Sequence, residues 1–439
     1  MVDNHSPMAE EAVEFCSDLI RIDSTNTGDP ATTGDGESRC ADYIRALLED
    51  AGLATEWYEK APGRGNLVLR IRGSNPALPA LLVHGHTDVV AATTGGWTVD
   101  PFAGLIKDGC VWGRGAVDMK DMLAMTVATL RQMARDSFTP QRDIVVAFVA
   151  DEEVDGGHGA QFLVDEHPEL FRGVSEAIGE IGGFSLELDP DRRLYLLGTA
   201  EKGVAWATLS AAGTTGHGSI VPNAENAVAR LAQAVARIAA HEWPIVWSES
   251  ITALVDALGD AIGRPLDTSR IEAELDALGP LAAMLLPGLR TTTAPTQFQA
   301  GYKTNVVPGG ATATVDCRIA PGADEAFKAA FLQLVGPGID VAWEEAPSLE
   351  APANAGILAG MRAAIAAVDP GGTGIPFVIS GATDAKAFTR LGIHCYGFSP
   401  LRLPAGYDFA AMFHGIDERV PLDALRAGTR ILHRFLTSQ

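Results

Sequence analysis

Apolar residues recur at helical spacing near the start of the chain, at Ala9, Val13, Cys16 and Ile20, and again at Ala41, Ile44 and Leu48. The second segment stops at Gly52, a residue suited to the left-handed turn that ends a helix. The period then shortens. Apolar runs over 66–73 and 79–83 predict buried strands, and Met119, Met122, Leu123, Thr126, Leu130 and Met133 share one face of a helix over 119–133. Strand, helix and strand follow at 143–150, 159–167 and 176–179. This alternation predicts an α/β fold: a mostly parallel sheet with helices on both faces.

Beyond Gly198 the texture changes. Strand, helix, strand, helix and strand are predicted over 204–211, 223–241, 311–319, 323–335 and 340–344, the order of a separate, smaller α+β module. Between its halves, residues 243–294 carry weak helical periodicity around 251–262 and 271–286 and read as a helical insertion. A helix over 357–368, a Gly/Pro loop and a strand over 394–398 then return to the first sheet. The expected modules are therefore 1–199 with 348–439, a discontinuous catalytic domain, and 200–347, a lid and dimerisation domain. No internal repeat is evident.

Composition narrows the class. A chain of 439 residues that is 47% hydrophobic is long enough for two or three domains with large cores. Its formal charge of -23 disfavours nucleic acid and anionic membrane as partners and suits the attraction of divalent cations. The five cysteines form no Cys-x-x-Cys pair, which points to free thiols. The N-terminus has neither a basic start nor an apolar segment, and no apolar run has membrane-spanning length. The cytoplasm is the expected compartment.

Candidate chemistry sits where strands end. The run Leu-Leu-Val-His-Gly-His-Thr-Asp carries His86 and Asp88 at the end of a strand. Cys-Val-Trp-Gly-Arg-Gly-Ala-Val-Asp ends at Asp118; Ile-Val-Val-Ala-Phe-Val-Ala-Asp-Glu-Glu ends at Glu152 and Glu153; Glu-Ala-Ile-Gly-Glu ends at Glu180. Ligand-type side chains at the carboxyl ends of strands are how an open α/β sheet builds a crevice, and histidine with several carboxylates is the donor set of zinc hydrolases. Each signal also has a plain reading: a His-x-Asp as a strand-end turn, a Glu-Glu pair as a solvated loop. Here Gly156, Gly157 and Gly159 follow the pair and let backbone approach closely. Gly113-x-Gly115 lacks the third glycine of a dinucleotide fingerprint, and no Gly-x-Ser-x-Gly elbow is present.

The blocks Val-His-Gly-His-Thr-Asp-Val-Val, Gly-Arg-Gly-Ala-Val-Asp-Met-Lys-Asp, Ala-Asp-Glu-Glu-Val, Gly-Glu-Ile-Gly-Gly and Phe-His-Gly-Ile-Asp-Glu resemble the di-zinc metallopeptidase family of aminoacylase, glutamate carboxypeptidase, carboxypeptidase S, acetylornithine deacetylase and succinyl-diaminopimelate desuccinylase. They occur in the family's order over nearly the whole chain. Two departures stand out: Val154 and Asp155 lengthen the spacing before the paired glycines, and the long insertion most resembles the carboxypeptidase S branch. The resemblance implies that His86 and Glu180 hold one zinc ion, Glu153 and His414 the other, and that Asp118 bridges them; Co2+ and Mn2+ are the expected substitutes. It implies that Asp88 orients His86, that Glu152 is the general base, and that His217 reaches a partner's site to stabilise the oxyanion. It also implies that Arg318 and Asn305 of the lid, with the loop containing Gly381 and Thr383, meet a substrate carboxylate. Arg318 beside Asp316 also reads as a structural ion pair, and the loop 381–384 as a helix cap. His84, His158 and His394 read as packing or structural residues.

The expected function is zinc-dependent hydrolysis, by metal-activated water, of an amide bond in an N-acyl amino acid or short peptide with a free carboxylate, in a homodimer with no nucleic-acid or membrane partner. A biosynthetic deacetylase or desuccinylase is the alternative within the class. A non-catalytic metal-binding dimeric relative is the alternative outside it, and the retention of Glu152 with all five ligands argues against that one.

Overall fold

Successive residues of the strands Ala80–His86 and Ile144–Val149 turn to opposite faces, and both faces are buried. Leu81, Val83, Ile144, Val146 and Phe148 enter one core, together with apolar residues of the helices Pro7–Ile20, Gly36–Asp50, Lys120–Arg135 and Leu422–Leu436. Leu82, Val145, Ala147 and Val149 enter another, with Phe162 and Leu163 of the helix Ala160–Glu166 and with Phe388. Burial on both faces is why these runs are continuous rather than alternating. The computed structural model describes residues 6–92 and 95–439; residues 1–5, which include the start of the expected first module and its non-basic N-terminus, lie outside the described residues.

The large sheet has the order Glu56–Glu59, Gly65–Ile71, Ile144–Val149, Ala80–His86, Val174–Gly179, His394–Gly397, Arg192–Glu201, Leu349–Glu350, with Gly372–Ile379 and Ser185–Asp189 also paired to Arg192–Glu201. Its centre is parallel and its flanking pairs are antiparallel, except that Gly372–Ile379 runs parallel to Arg192–Glu201. His394–Gly397 slots beside Val174–Gly179, so the last part of the chain does return to the first sheet. The segment Gly372–Ile379, expected as a Gly/Pro loop, is a strand. It pairs only with Arg192–Glu201 among the described residues, and an edge position tolerates Pro376, which has no N–H to give to a further neighbour.

Gly203–Ala212, Gly310–Ile319, Ile339–Ala346 and Thr292–Ala300 form a separate four-stranded antiparallel sheet. The helices Ala227–Ala239 and Asp324–Val335 pack on it through Leu231, Ile238, Phe327 and Phe331. Residues 292–300, which straddle the end of the expected helical insertion, are thus an edge strand of this sheet.

The insertion itself packs elsewhere than expected. Ile251, Leu254, Val255 and Leu258 of the helix Glu249–Ile262, with Leu275, Leu281 and Leu285 further on, belong to the large core and not to that of the small module. Hydrogen bonds from Thr199 to Ser250 (2.9 Å) and from the Ser250 amide to Glu350 (2.8 Å) fix the helix to the large sheet. The cause is area: the apolar edge strand Gly372–Ile379 needs cover, and this helix supplies it. Among the described residues no helix is long and apolar enough to cross a membrane.

Leu258 is fully buried, so Leu258→Ala is expected to lower the unfolding free energy by about 2–5 kcal/mol in urea denaturation. A loss under about 1 kcal/mol would mean that the helix is peripheral to the large core.

Candidate metal centre

Parallel pairing brings three strand ends to one edge of the sheet. His86 ends Ala80–His86, Glu152 and Glu153 follow Ile144–Val149, and Glu180 follows Val174–Gly179. Asp118 lies just before the helix Lys120–Arg135, and His414 in the turn before the short strand Arg419–Pro421. His86 Nε2 is 3.2 Å from Asp118 Oδ1 and 3.5 Å from Glu180 Oε2. His414 Nε2 is 3.3 Å from Asp118 Oδ2 and 3.2 Å from Glu153 Oε2. Two triads therefore share Asp118, and in each the donor atoms lie within 4.8 Å of one another.

The donor set fits divalent cations. His86 Nδ1 is 3.0 Å from the Asp88 carbonyl oxygen, which only accepts, so Nδ1 carries the proton and Nε2 is left as a lone pair facing the carboxylates. Burial pushes Glu180 up to about 8, against the pull of His86, and burial likewise raises Glu153. Carboxyl groups crowded into a dry site need a compensating positive charge, and a cation at each triad supplies it. Asp118 is held below the usual carboxylate range: burial opposes this, but the facing imidazoles of His414 and His86 outweigh it.

The backbone around the donors is forced into place. Asp151, Ile181 and His414 have φ of 69°, 52° and 55°, a left-handed conformation that costs a non-glycine residue about 1–3 kcal/mol. Ile181 follows Glu180, His414 is itself in a triad, and Asp151 precedes the Glu152–Glu153 pair. At Gly159 an added Cβ would lie 1.7 Å from the Ala150 carbonyl oxygen, so only glycine lets the chain fold back on the strand end behind Glu152.

Asp88 does more than orient an imidazole. Its carboxylate is 3.5 Å from His86 Nδ1, farther than its own carbonyl, and it accepts the amides of Glu152 (3.1 Å) and Glu153 (3.0 Å). It is a clamp on the loop that carries both glutamates. Asn26 donates to Asp88 at 3.1 Å and to Asp151 at 2.8 Å. Arg64, ion-paired with Glu37, donates to Asn26, and Glu37 accepts the Asp151 amide. On the opposite side Arg114 bonds Glu418 and the His414 carbonyl, while Glu418 accepts the Val117 amide. Sequence patterning predicts none of these supports. Asn26 lies in a polar run after the first helix, with no spacing that marks it.

Glu152 belongs to neither triad. Burial, followed by the charge of Glu180, raises it well above the usual carboxylate range. It lines a cavity of about 300 Å³ with Thr383 and Asp384 of the catalytic module and with Trp206 and Arg318 of the small one. Arg318 bonds Asp316 through Nε (2.9 Å) and Nη2 (3.3 Å), and no hydrogen bond among the described residues takes up Nη1. It is both ion-paired and beside Glu152. Thr383 caps the helix Ala385–Phe388 by accepting the Ala385 amide, and Asp384 instead keeps a buried Oδ2 without a hydrogen-bond partner; burial pushes it up to about 7. Gly381 stands next to this loop, 3.8 Å from Ile181 measured at an added Cβ.

His217 and Asn305 are brought to each other and not to Glu152. The Gly218 amide donates to the Asn305 carbonyl at 3.1 Å, His217 pairs with Val306, and its Nδ1 is 2.8 Å from Ser219 Oγ; both residues are exposed, and neither lines the cavity. His84 packs on Phe388 with ring centroids 4.8 Å apart, and burial lowers its pKa to about 3. His158 is half-buried, while His394 is exposed rather than packed.

A family model described as Peptidase family M20/M25/M40 matches residues 82–438. The chain is 28% identical over 414 residues to the N-fatty-acyl-amino acid synthase/hydrolase PM20D1 of Bos taurus, covering 90% of this chain and 81% of that protein. It is 26% identical over 412 residues to aminoacylase-1 of Sus scrofa, covering 90% and 88%. Its fold is similar to that of the M20 family metallo-carboxypeptidase Sso-CP2 from Sulfolobus solfataricus, with a TM-score of 0.71 at 17% identity over 99% of each chain.

Asp118→Ala removes the donor common to both triads, so elemental analysis of the purified variant is expected to find both ions gone and no turnover. Full occupancy in that variant would exclude a shared carboxylate. Asn26→Ala leaves every donor in place but frees Asp88 and Asp151; it is expected to weaken metal affinity or activity about 10-fold to 100-fold, read by chelator competition and initial rates.

Proposed function

The chain belongs to the M20/M25/M40 peptidase family, and on that premise we propose that it hydrolyses the amide bond of an N-acyl amino acid or short peptide with a free carboxylate, using two zinc ions held by the two triads. The observation that carries this reading is that Glu152, outside both triads, shares one cavity with Arg318 of the other module. The names of the two curated relatives support N-acyl amino acids as the first class to test. All five cysteines are free, which supports a reducing compartment, the cytoplasm.

Each residue then has a task. Arg318 receives the substrate carboxylate through Nη1, with Thr383 and Gly381 on the facing loop. When bound, the cations polarise the scissile carbonyl and make water a stronger acid. Glu152 takes a proton from the attacking water and delivers it to the leaving nitrogen. His217 and Asn305, exposed on the small module, serve the site of a second copy, where His217 donates to the developing oxyanion. A homodimer is part of the proposal.

Glu152→Gln keeps the shape and removes the proton acceptor. Metal content is expected to persist while turnover on a panel of N-acyl amino acids and dipeptides falls about 100-fold to 10,000-fold. Loss of metal in Glu152→Gln, with metal retained in Glu153→Gln, would exchange the two roles. For the dimer, mixing His217→Ala with Glu152→Gln subunits is expected to restore activity, since one composite site then has both groups intact. A mixture no more active than its parents despite proven subunit exchange would leave His217 a loop residue.

A further inference from the structure

Apart from the excursion that carries the helix Glu249–Ile262 to the large core, the chain crosses between the modules at 201–203 and at 346–348, and these two crossings lie side by side: a Cβ added at Gly203 would sit 2.9 Å from the Ser348 amide nitrogen. Lys386 touches both. Its Nζ donates to the Lys202 carbonyl at 3.0 Å and to the Pro347 carbonyl at 2.8 Å, with Glu201 Oε2 at 3.9 Å. An ammonium has three protons; two go to these carbonyls, and Glu201 Oε2, beyond hydrogen-bond reach, supplies only its charge. Two backbone carbonyls thus hold the head of Lys386 at the crossings, although its side chain also lines the cavity.

The other end of this contact is the substrate-facing loop. Thr383, three residues before Lys386, donates to the second oxygen of Glu201 at 2.6 Å, and the Lys202 amide donates to Ile379 at 2.9 Å, just before that loop. On the lid side, Val204 stands opposite Arg318 in the ladder of Gly203–Ala212 with Gly310–Ile319. A short path thus runs from Lys386 by a hydrogen bond to Lys202, along the chain to Val204, and across the sheet register to Arg318. The loop with Thr383 and Asp384, and the lid with Arg318, are the two walls of the cavity at Glu152.

We propose that Lys386 is a positioning residue that, by holding both module crossings, sets Arg318 against the Thr383–Asp384 loop and so aligns a carboxylate-bearing substrate with Glu152. The proposal rests on the reading of Arg318 as the carboxylate holder. A misplacement near 1 Å in such a clamp costs up to about 100-fold in rate or affinity, which is why a group outside the chemistry matters.

The test uses the full-length, metal-loaded protein with Lys386→Met, which keeps the stem and removes the donors. Hydrogen exchange at the Lys202 and Ser348 amides is expected to quicken, with both metal ions retained. KM for an N-acyl amino acid is expected to rise about tenfold with kcat changed less than about threefold, while the corresponding C-terminal amide, which lacks the carboxylate, is unaffected. In an Arg318→Ala background Lys386→Met is expected to add nothing further. If Lys386→Met does not fold, Lys386→Gln carries the same measurements. Unchanged exchange at both amides together with unchanged KM overturns the proposal, and so does an equal loss on acid and amide. If Arg318→Ala itself leaves KM for the acid unchanged, the carboxylate reading fails, and the exchange data still decide whether Lys386 holds the crossings.

Discussion

One carboxylate has to face two imidazoles at once. Asp118 meets His86 with one oxygen and His414 with the other, and each contact brings a further glutamate, Glu180 or Glu153, into the same buried volume. Like charges at this spacing repel strongly where water is scarce. The arrangement persists only if cations compensate it and if the backbone leaves the side chains nowhere else to go. Much of the architecture meets the second condition: parallel neighbours deliver His86, Glu153 and Glu180 to one edge, and left-handed turns at Asp151, Ile181 and His414 aim the loops.

Around the donors lies a layer that holds the loops rather than the ions. Asp88 accepts two successive amides of the Glu152–Glu153 loop, Asn26 ties Asp88 to Asp151, and the Arg64–Glu37 pair backs Asn26. Arg114 and Glu418 tie the Asp118 turn to the His414 turn across most of the chain. A buried ion pair is a poor source of net stability, but one tied to the backbone by hydrogen bonds helps define a single geometry. Here that geometry separates the two glutamates: Glu153 turns to a triad and Glu152 to the cavity.

The small module and the segment inserted in it serve different cores. The edge strand Gly372–Ile379 is covered by the helix Glu249–Ile262, so the chain leaves the small module, seals the large sheet and returns to supply the small module's edge strand Thr292–Ala300. The large and small cores are thereby linked by more than the crossings at 201–203 and 346–348. The cavity lies where they face each other, with Arg318 and Trp206 on one wall and Thr383 and Asp384 on the other.

What the sequence determined by itself was local or periodic. Helices and strands followed from apolar spacing, because which face is buried is written into every third or fourth residue or every second one. That His86, Asp118, Glu153 and Glu180 gather was legible because each directly follows an apolar run or a motif in a fixed order, and that His414 joins them because its turn repeats a family block. The strand with Pro376 and the placement of the insertion were not legible: both depend on which surface is left uncovered once the sheet has formed. Nor were the supports. Asn26 and Asp88 are 62 residues apart, Lys386 and Lys202 are 184 apart, and Arg114 and Glu418 are 304 apart. A single polar residue that bonds across such a distance leaves no period behind, so only the tertiary structure, by bringing the segments together, decides its partner.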